Sequence, residues 1–411
     1  MRGGIVSILA VVMISATMIS FLAENTGADN SGSDDVWPVL GGDPQHTGQS
    51  QFDTSDNKGG VVWSMTQTSM WPSVAIDDDG MIYAPITGIG LSGYLLAINP
   101  NGTVNWTFHT GGYVETCPVI TEDGSIYFGS HDGNFYALFP NGTEKWRASY
   151  NSPDVYSPVM DDQGLIYFLA HGKLHCLDQH GNEHWNFSAH SIDPMTPALS
   201  HHGEIILGTS EGILYCVYPN GTLRWSSEVG EEIAGTISID SNGNIYCIDR
   251  GADALLSVDS EGQLRWSYPI VYGTHGASIG IDGTVYCGEG YNLVALDSNG
   301  SLIWKYATGG TISSPPAISL NGNIFFGSQD GNVYALDQSG EEVWIFDGND
   351  WVESRPAIGS DGTVYIGSHG GILYAFNGLP DPSPTLIAGA VSALIIGVIL
   401  AIWAAYPKRK S

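Results

Sequence analysis

The sequence has 411 residues, 43 acidic against 13 basic side chains and a formal net charge of −30. A surface that acidic repels phosphate backbones and anionic lipid, which excludes nucleic-acid binding and suits salty surroundings or cationic partners. The length exceeds the usual size of one hydrophobic core, and 54 glycines with 12 tryptophans point to a repeat array of short strands and tight turns.

Arg2 precedes an apolar run from Ile5 to Ala23, so residues 1–24 read as a secretory signal peptide. The same run is long enough to stay as a signal anchor, and Phe21-Leu22-Ala23 is a poor small-x-small cleavage site. Residues 25–60 form a lead-in segment.

Residues 61–378 carry the repeat. Eight tryptophans stand in register, Trp63, Trp106, Trp146, Trp185, Trp225, Trp266, Trp304 and Trp344, at gaps of 43, 40, 39, 40, 41, 38 and 40 residues. The unit before Trp146 reads CPVITEDGSIYFGSHDGNFYALFPNGTEKW and resolves into four short strands. Pro118-Val119-Ile120 opens strand A, an Asp-Gly turn leads to strand B at Ser125–Phe128, and His131-Asp132-Gly133 leads to strand C at Asn134–Leu138. The Asn141-Gly142 turn leads to strand D, which is expected to end on the tryptophan. Four antiparallel strands per forty residues make a propeller blade, whose two apolar faces need neighbours.

Seven units run complete from A to D. The last, RPAIGSDGTVYIGSHGGILYAFNG, stops at Gly378 without a strand D, whereas Val61-Val62-Trp63 is a strand D without A, B or C. The expected fold is therefore all-β, an eight-bladed propeller of four-stranded antiparallel blades, with the Trp63 strand completing the last blade.

Beyond the repeat, residues 379–385 form a stiff proline-rich linker. Residues 386–407 read as a C-terminal transmembrane helix, since Leu386–Ala405 is uncharged and long enough to span a bilayer. Residues 408–411, with Lys408-Arg409-Lys410, form a basic cytoplasmic tail that leaves the acidic body outside the cell membrane. The expected topology is single-pass, or two-pass if the N-terminal segment is uncleaved.

Several tempting motifs dissolve in the register. Cys176 and Cys216 occupy the place of Ala97 and Ala137, and Cys247 and Cys287 that of Phe128 and Ile366, which makes them buried hydrophobes rather than a disulfide set; Cys117 stands beside the central channel. Gly208-Thr209-Ser210-Glu211-Gly212 matches a nucleophile elbow but aligns with GSHDG and GSQDG as a hairpin turn. His201-His202 and Asp77-Asp78-Asp79 sit in A–B turns without metal-ligand spacing. Neither a catalytic, a metal nor a cofactor site is expected. Six glycosylation sequons occur, at Asn101, Asn105, Asn141, Asn186, Asn220 and Asn299, four of them in C–D turns.

The informative variation lies in the D–A connections between blades, which gather with the B–C turns on one end of the disc. His109, Tyr113, Tyr150, Tyr156, His190, Tyr272, His275, Asp350, Trp351 and Glu353 are the candidates for binding there, with Glu115, Glu231 and Glu232 beside them. Aromatic and carboxylate side chains at a concave mouth suit sugars, cationic peptides or protein loops.

The recurring small-x4-Gly-x3-Trp pattern, as in ALFPNGTEKW and ALDQSGEEVW, together with PAI…DGTVYIGS, resembles the pyrroloquinoline-quinone-like propeller repeat family. The opening Trp37-Pro38…Gly42-Asp43…His46-Thr47-Gly48 resembles a lead-in of such proteins. The family includes quinoprotein alcohol dehydrogenases and the propeller subunit of the outer-membrane β-barrel assembly machinery. For the dehydrogenases the resemblance implies a quinone held by adjacent cysteines and a chelated calcium; this chain has no Cys-Cys pair. The expected function is a non-catalytic binding or scaffold protein of the cell surface or envelope, with other membrane proteins or surface glycans as partners. The alternatives are a quinone-dependent dehydrogenase and an adhesion or envelope-assembly factor.

Overall fold

The computed structural model describes residues 37–66, 73–87, 92–150, 152–153, 155–189, 196–271, 274–348 and 350–379. The signal segment, His190, Tyr272, residues 380–385 of the linker, the apolar segment 386–407 and the basic tail lie outside the described residues. Among the described residues, no helix is long and apolar enough to cross a membrane.

Thirty-two strands form eight four-stranded antiparallel sheets within the described residues. Blade 2 shows how the repeat folds: strand A is Val119–Ile120, B is Ile126–Gly129, C is Asn134–Leu138 and D is Glu144–Ser149. In the A–B turn Asp123 Oδ1 accepts the Ser125 N–H at 3.0 Å, and in the C–D turn Asn141 Oδ1 accepts the Thr143 N–H at 3.1 Å. These side-chain bonds are why Asp-Gly and Asn-Gly recur at these places. Strands A, B and C are almost wholly buried, while D alternates exposed and half-buried residues along the outer rim.

Strand D does not end on the tryptophan. It continues three residues beyond, so that Ser149 pairs with Asn134 and strand D covers the whole of strand C. Alternation carries on through Arg147-Ala148-Ser149, and stopping at Trp146 would strip the buried strand C of its partners. The extension also places His109 inside a strand D, Val104–Thr110, opposite Tyr94, rather than in a connection.

Closure follows the expected route. Gly60–Thr66 pairs antiparallel with Ile372–Gly378, with Trp63 opposite Ala375, so blade 8 takes strands A to C from one end of the chain and D from the other. The tryptophans then link each blade to the next. Trp63, Trp106, Trp146, Trp185, Trp225, Trp266 and Trp304 each donate the indole N–H to a C–D turn carbonyl of the following blade at 2.8–3.0 Å. Each ring also lies flat against the glycine of that turn, as Trp106 does against Gly142, where a Cβ would approach Cδ2 to 2.5 Å. The Gly-x3-Trp spacing thus records two contacts, one to each neighbouring blade.

The lead-in is part of the disc. Trp37 bridges to Ile76 in blade 1, and the carbonyls of Pro38, Pro44, Gln45, Thr47 and Gly48 accept N–H groups from the last strand-A residue of blades 2, 4, 5, 6 and 7. Val39 belongs to the same buried cluster as Val119 and Val159 of blades 2 and 3, and Asn57 Nδ2 donates to Gly362 O and Phe376 O of blade 8. Six blades are bonded where their innermost strand ends and blade 8 at its A–B turn, so this segment stops the central channel on the A–B turn side.

Candidate functional site

The stopped channel leaves a blind cavity of about 480 Å³ open on the opposite side, lined by residues of all eight blades and by Leu40 of the lead-in. Its wall is set largely by one register position, three residues before the last of strand A: Ser73, Cys117, Ser157, Thr196, Thr236, Gly276, Pro315 and Arg355 in blades 1 to 8, all but Gly276 lining the cavity. In blades 2, 3, 4, 7 and 8 a proline follows, which holds this residue extended. Seven of the eight are small or apolar. Arg355 alone is charged.

Arg355 is 4% exposed. Its Nη2 donates to His46 O at 2.9 Å and to Ser278 Oγ at 3.1 Å, and the Ser278 hydroxyl donates onward to Pro316 O at 2.6 Å. The backbone at Gly41 and Gly48 packs so closely on the guanidinium that a Cβ at either would meet it at 2.6 and 2.9 Å. Burial pulls the Arg355 pKa down to about 10, against the pull of Asp43. Asp43 itself is raised by burial, although the Thr47 N–H and hydroxyl both donate to its carboxylate. His46 donates from Nδ1 to Ile237 O at 3.1 Å, and burial lowers its pKa to about 3, so it is neutral.

The rim is acidic. Glu115 pairs with His131 at 3.3 Å, a hydrogen bond that lowers the carboxyl pKa. Glu353 Oε1 accepts the Gln329 amide at 2.6 Å, while its Oε2 is buried without a partner. Four blades tie the D–A connection to the B–C turn by one repeated bond. His131, Arg250, Gln329 and His369 donate their backbone N–H to Tyr113, Glu232, Thr311 and Trp351 carbonyls at 2.7–2.9 Å. The two loop sets therefore form one face.

Of the sequence candidates, Tyr156, His275 and Glu353 line the cavity. Tyr113 lies beside it with its ring near His131, and Trp351, 51% exposed, stands edge-on to His369 at 5.6 Å. Asp350 accepts the Gly370 N–H and so braces its own loop. Tyr150 packs on His175 and Phe168, and His109 on Tyr94, away from the mouth. All six sequon asparagines are exposed. Sequence reasoning missed Arg355, whose signal was available: it is the sole cation when the eight positions that open strand A are aligned.

A family model for the outer membrane protein assembly factor BamB matches in three overlapping registers, residues 52–289, 170–328 and 243–379. The chain belongs to this family of PQQ-like propellers. Several offsets for one model are what a repeat array produces. BamB from Moraxella catarrhalis is similar in structure, with a TM-score of 0.58, 16% identity, and coverage of 76% of this chain and 97% of that one. A quinohemoprotein alcohol dehydrogenase from Comamonas testosteroni gives a TM-score of 0.69 at 14% identity, covering 85% and 81%. A computationally designed protein, Ika8, gives 0.64 at 15% identity, covering 77% and 99%. These likenesses concern the fold. No curated protein matches the sequence.

The dehydrogenase likeness raises a quinone with a calcium ion, and the donor set at the mouth does not fit them. Glu115 and Glu353 are engaged with His131 and Gln329, and among the described residues no three His, Cys, Asp or Glu side chains converge for a metal. The five cysteines are free, buried and placed singly in blades 2 to 6, so none can pair with a neighbour across a quinone.

Proposed function

We propose that this chain is a non-catalytic scaffold of the cell envelope, held to a membrane by its C-terminal segment, whose loop face docks another envelope protein during assembly. The observation that carries the reading is the one-sided disc. The lead-in fills the A–B turn side of the channel, and the opposite face presents Trp351 on a backbone fixed by the 2.7 Å bond from His369 N to Trp351 O. A rigid, half-exposed tryptophan flanked by carboxylates is the kind of anchor that dominates protein interfaces. The family's assembly-factor description agrees with docking rather than turnover.

A photo-activatable residue in place of Trp351, in full-length protein in its native membranes, tests this. Capture of one envelope protein from position 351 but not from Asn299 on the opposite face supports it. Equal capture from both positions, or none from 351, contradicts it.

A further inference from the structure

Arginine carries five N–H donors and no acceptor. Two of Arg355's are used at Nη2; the Nε donor and the two at Nη1 have no partner, although the side chain is buried and lines the cavity. Tying the lead-in to blades 6 and 8 uses the Nη2 donors and accounts for no others. No carboxylate compensates the charge at contact distance among the described ion pairs; Asp43 acts only through space. A buried cation left with three open donors, in a chain of net charge −30, is costly unless an anion completes it.

We propose that the floor of the central cavity is a binding site for a small organic carboxylate, received by Arg355. The volume of about 480 Å³ is in the range of small-molecule sites. Leu40, Tyr156 and Pro315 offer apolar contact to an organic body. Glu115 and Glu353 on the same wall repel a doubly charged phosphate more than a singly charged carboxylate. This site lies at the channel floor and stands independently of protein docking at the rim.

Calorimetric titration of the full-length protein in detergent tests it with phenylacetate, acetate, inorganic phosphate and benzylamine. Phenylacetate is expected to bind saturably and more tightly than acetate, phosphate more weakly than either, and benzylamine not at all. Arg355→Met, which keeps the volume and removes the buried charge, is expected to weaken phenylacetate at least tenfold. Glu353→Gln is expected to tighten phenylacetate a few-fold and to narrow the gap to phosphate, which a merely structural Arg355 would not produce. Should Arg355→Met fail to fold, Arg355→Lys, lacking the Nε donor, is expected to show the same loss. Benzylamine binding in place of phenylacetate, no saturable carboxylate, or variant affinities within twofold of the parent would overturn the proposal.

Discussion

Gly59 lies against the Trp344 indole, in the place that the next blade's turn glycine occupies against each of the other seven repeat tryptophans. Gly59 comes from the start of the propeller and Trp344 from blade 7, so the last inter-blade contact of the ring joins opposite ends of the chain. The contact is incomplete. Blade 8 has no C–D turn to offer a carbonyl, and Trp344 Nε1 is buried without a partner.

The seam defect sets the first prediction. Trp146→Phe removes the indole bond to Gln179 O at 2.9 Å, whereas Trp344→Phe removes an N–H that bonds to nothing. The two cost similar packing, so Trp146→Phe is expected to be the more destabilising by about 1 kcal/mol. Urea midpoints of the two variants check this; equal shifts would show that the seam indole has a partner.

A second prediction concerns the turn glycines. Gly142 and Gly283 have φ of 80° and 82°, but an added Cβ strikes Trp106 at the first and meets nothing within 4 Å at the second. Gly283→Ala is expected to cost about 1 kcal/mol for the left-handed backbone alone. Gly142→Ala adds overpacking and is expected to cost about 2–4 kcal/mol. Thermal denaturation of both variants separates the two contributions.

The lead-in also gives the protein a pH dependence. His46 has a pKa near 6.5 when unfolded and about 3 when folded, so between these values the unfolded chain binds a proton that the folded chain refuses. Stability is therefore expected to fall as pH drops through that window, by about 1.4 kcal/mol per pH unit from this one group. Asp43, raised by burial, acts with the opposite sign, since its stabilising contribution is present in acid and lost as pH rises. In His46→Gln, whose amide can still donate to Ile237 O, the slope between pH 6 and 4 is expected to flatten. Unfolding free energies across that range check it.

The fold was legible because its repeat is written in turn chemistry: Asp-Gly, Asn-Gly and Gly-x3-Trp recur wherever a short strand must reverse or a blade must meet its neighbour. The missing strand D of the last unit and the orphan at Trp63 told of closure for the same reason. Strand D's true end was written two residues past the tryptophan, where Met65, Phe108, Phe187, Tyr268, Tyr306 and Phe346 pack on the core, but it was faint in blade 2, whose Ala148 is small. The mouth was half legible. Tyr156, His275 and Glu353 stood out as variation in loops, but Arg355 sits inside the repeat, where it reads as one more strand-A entry. Its importance comes from the lead-in loop folded beneath it, a contact across 309 residues of sequence.

Ring closure carries the rest, because a stopped channel and a single open face exist only if the amino-terminal strand completes blade 8. Thr66 and Ile372 are directly opposed in that pairing. Cysteines at both positions should oxidise to an intramolecular disulfide, seen as a reducible mobility shift in denaturing gels, while a cysteine at Thr66 paired with one at Ile213, the equivalent position of blade 4, should give none. A Thr66–Ile372 pair that stays reduced while the protein remains folded would contradict the closed ring.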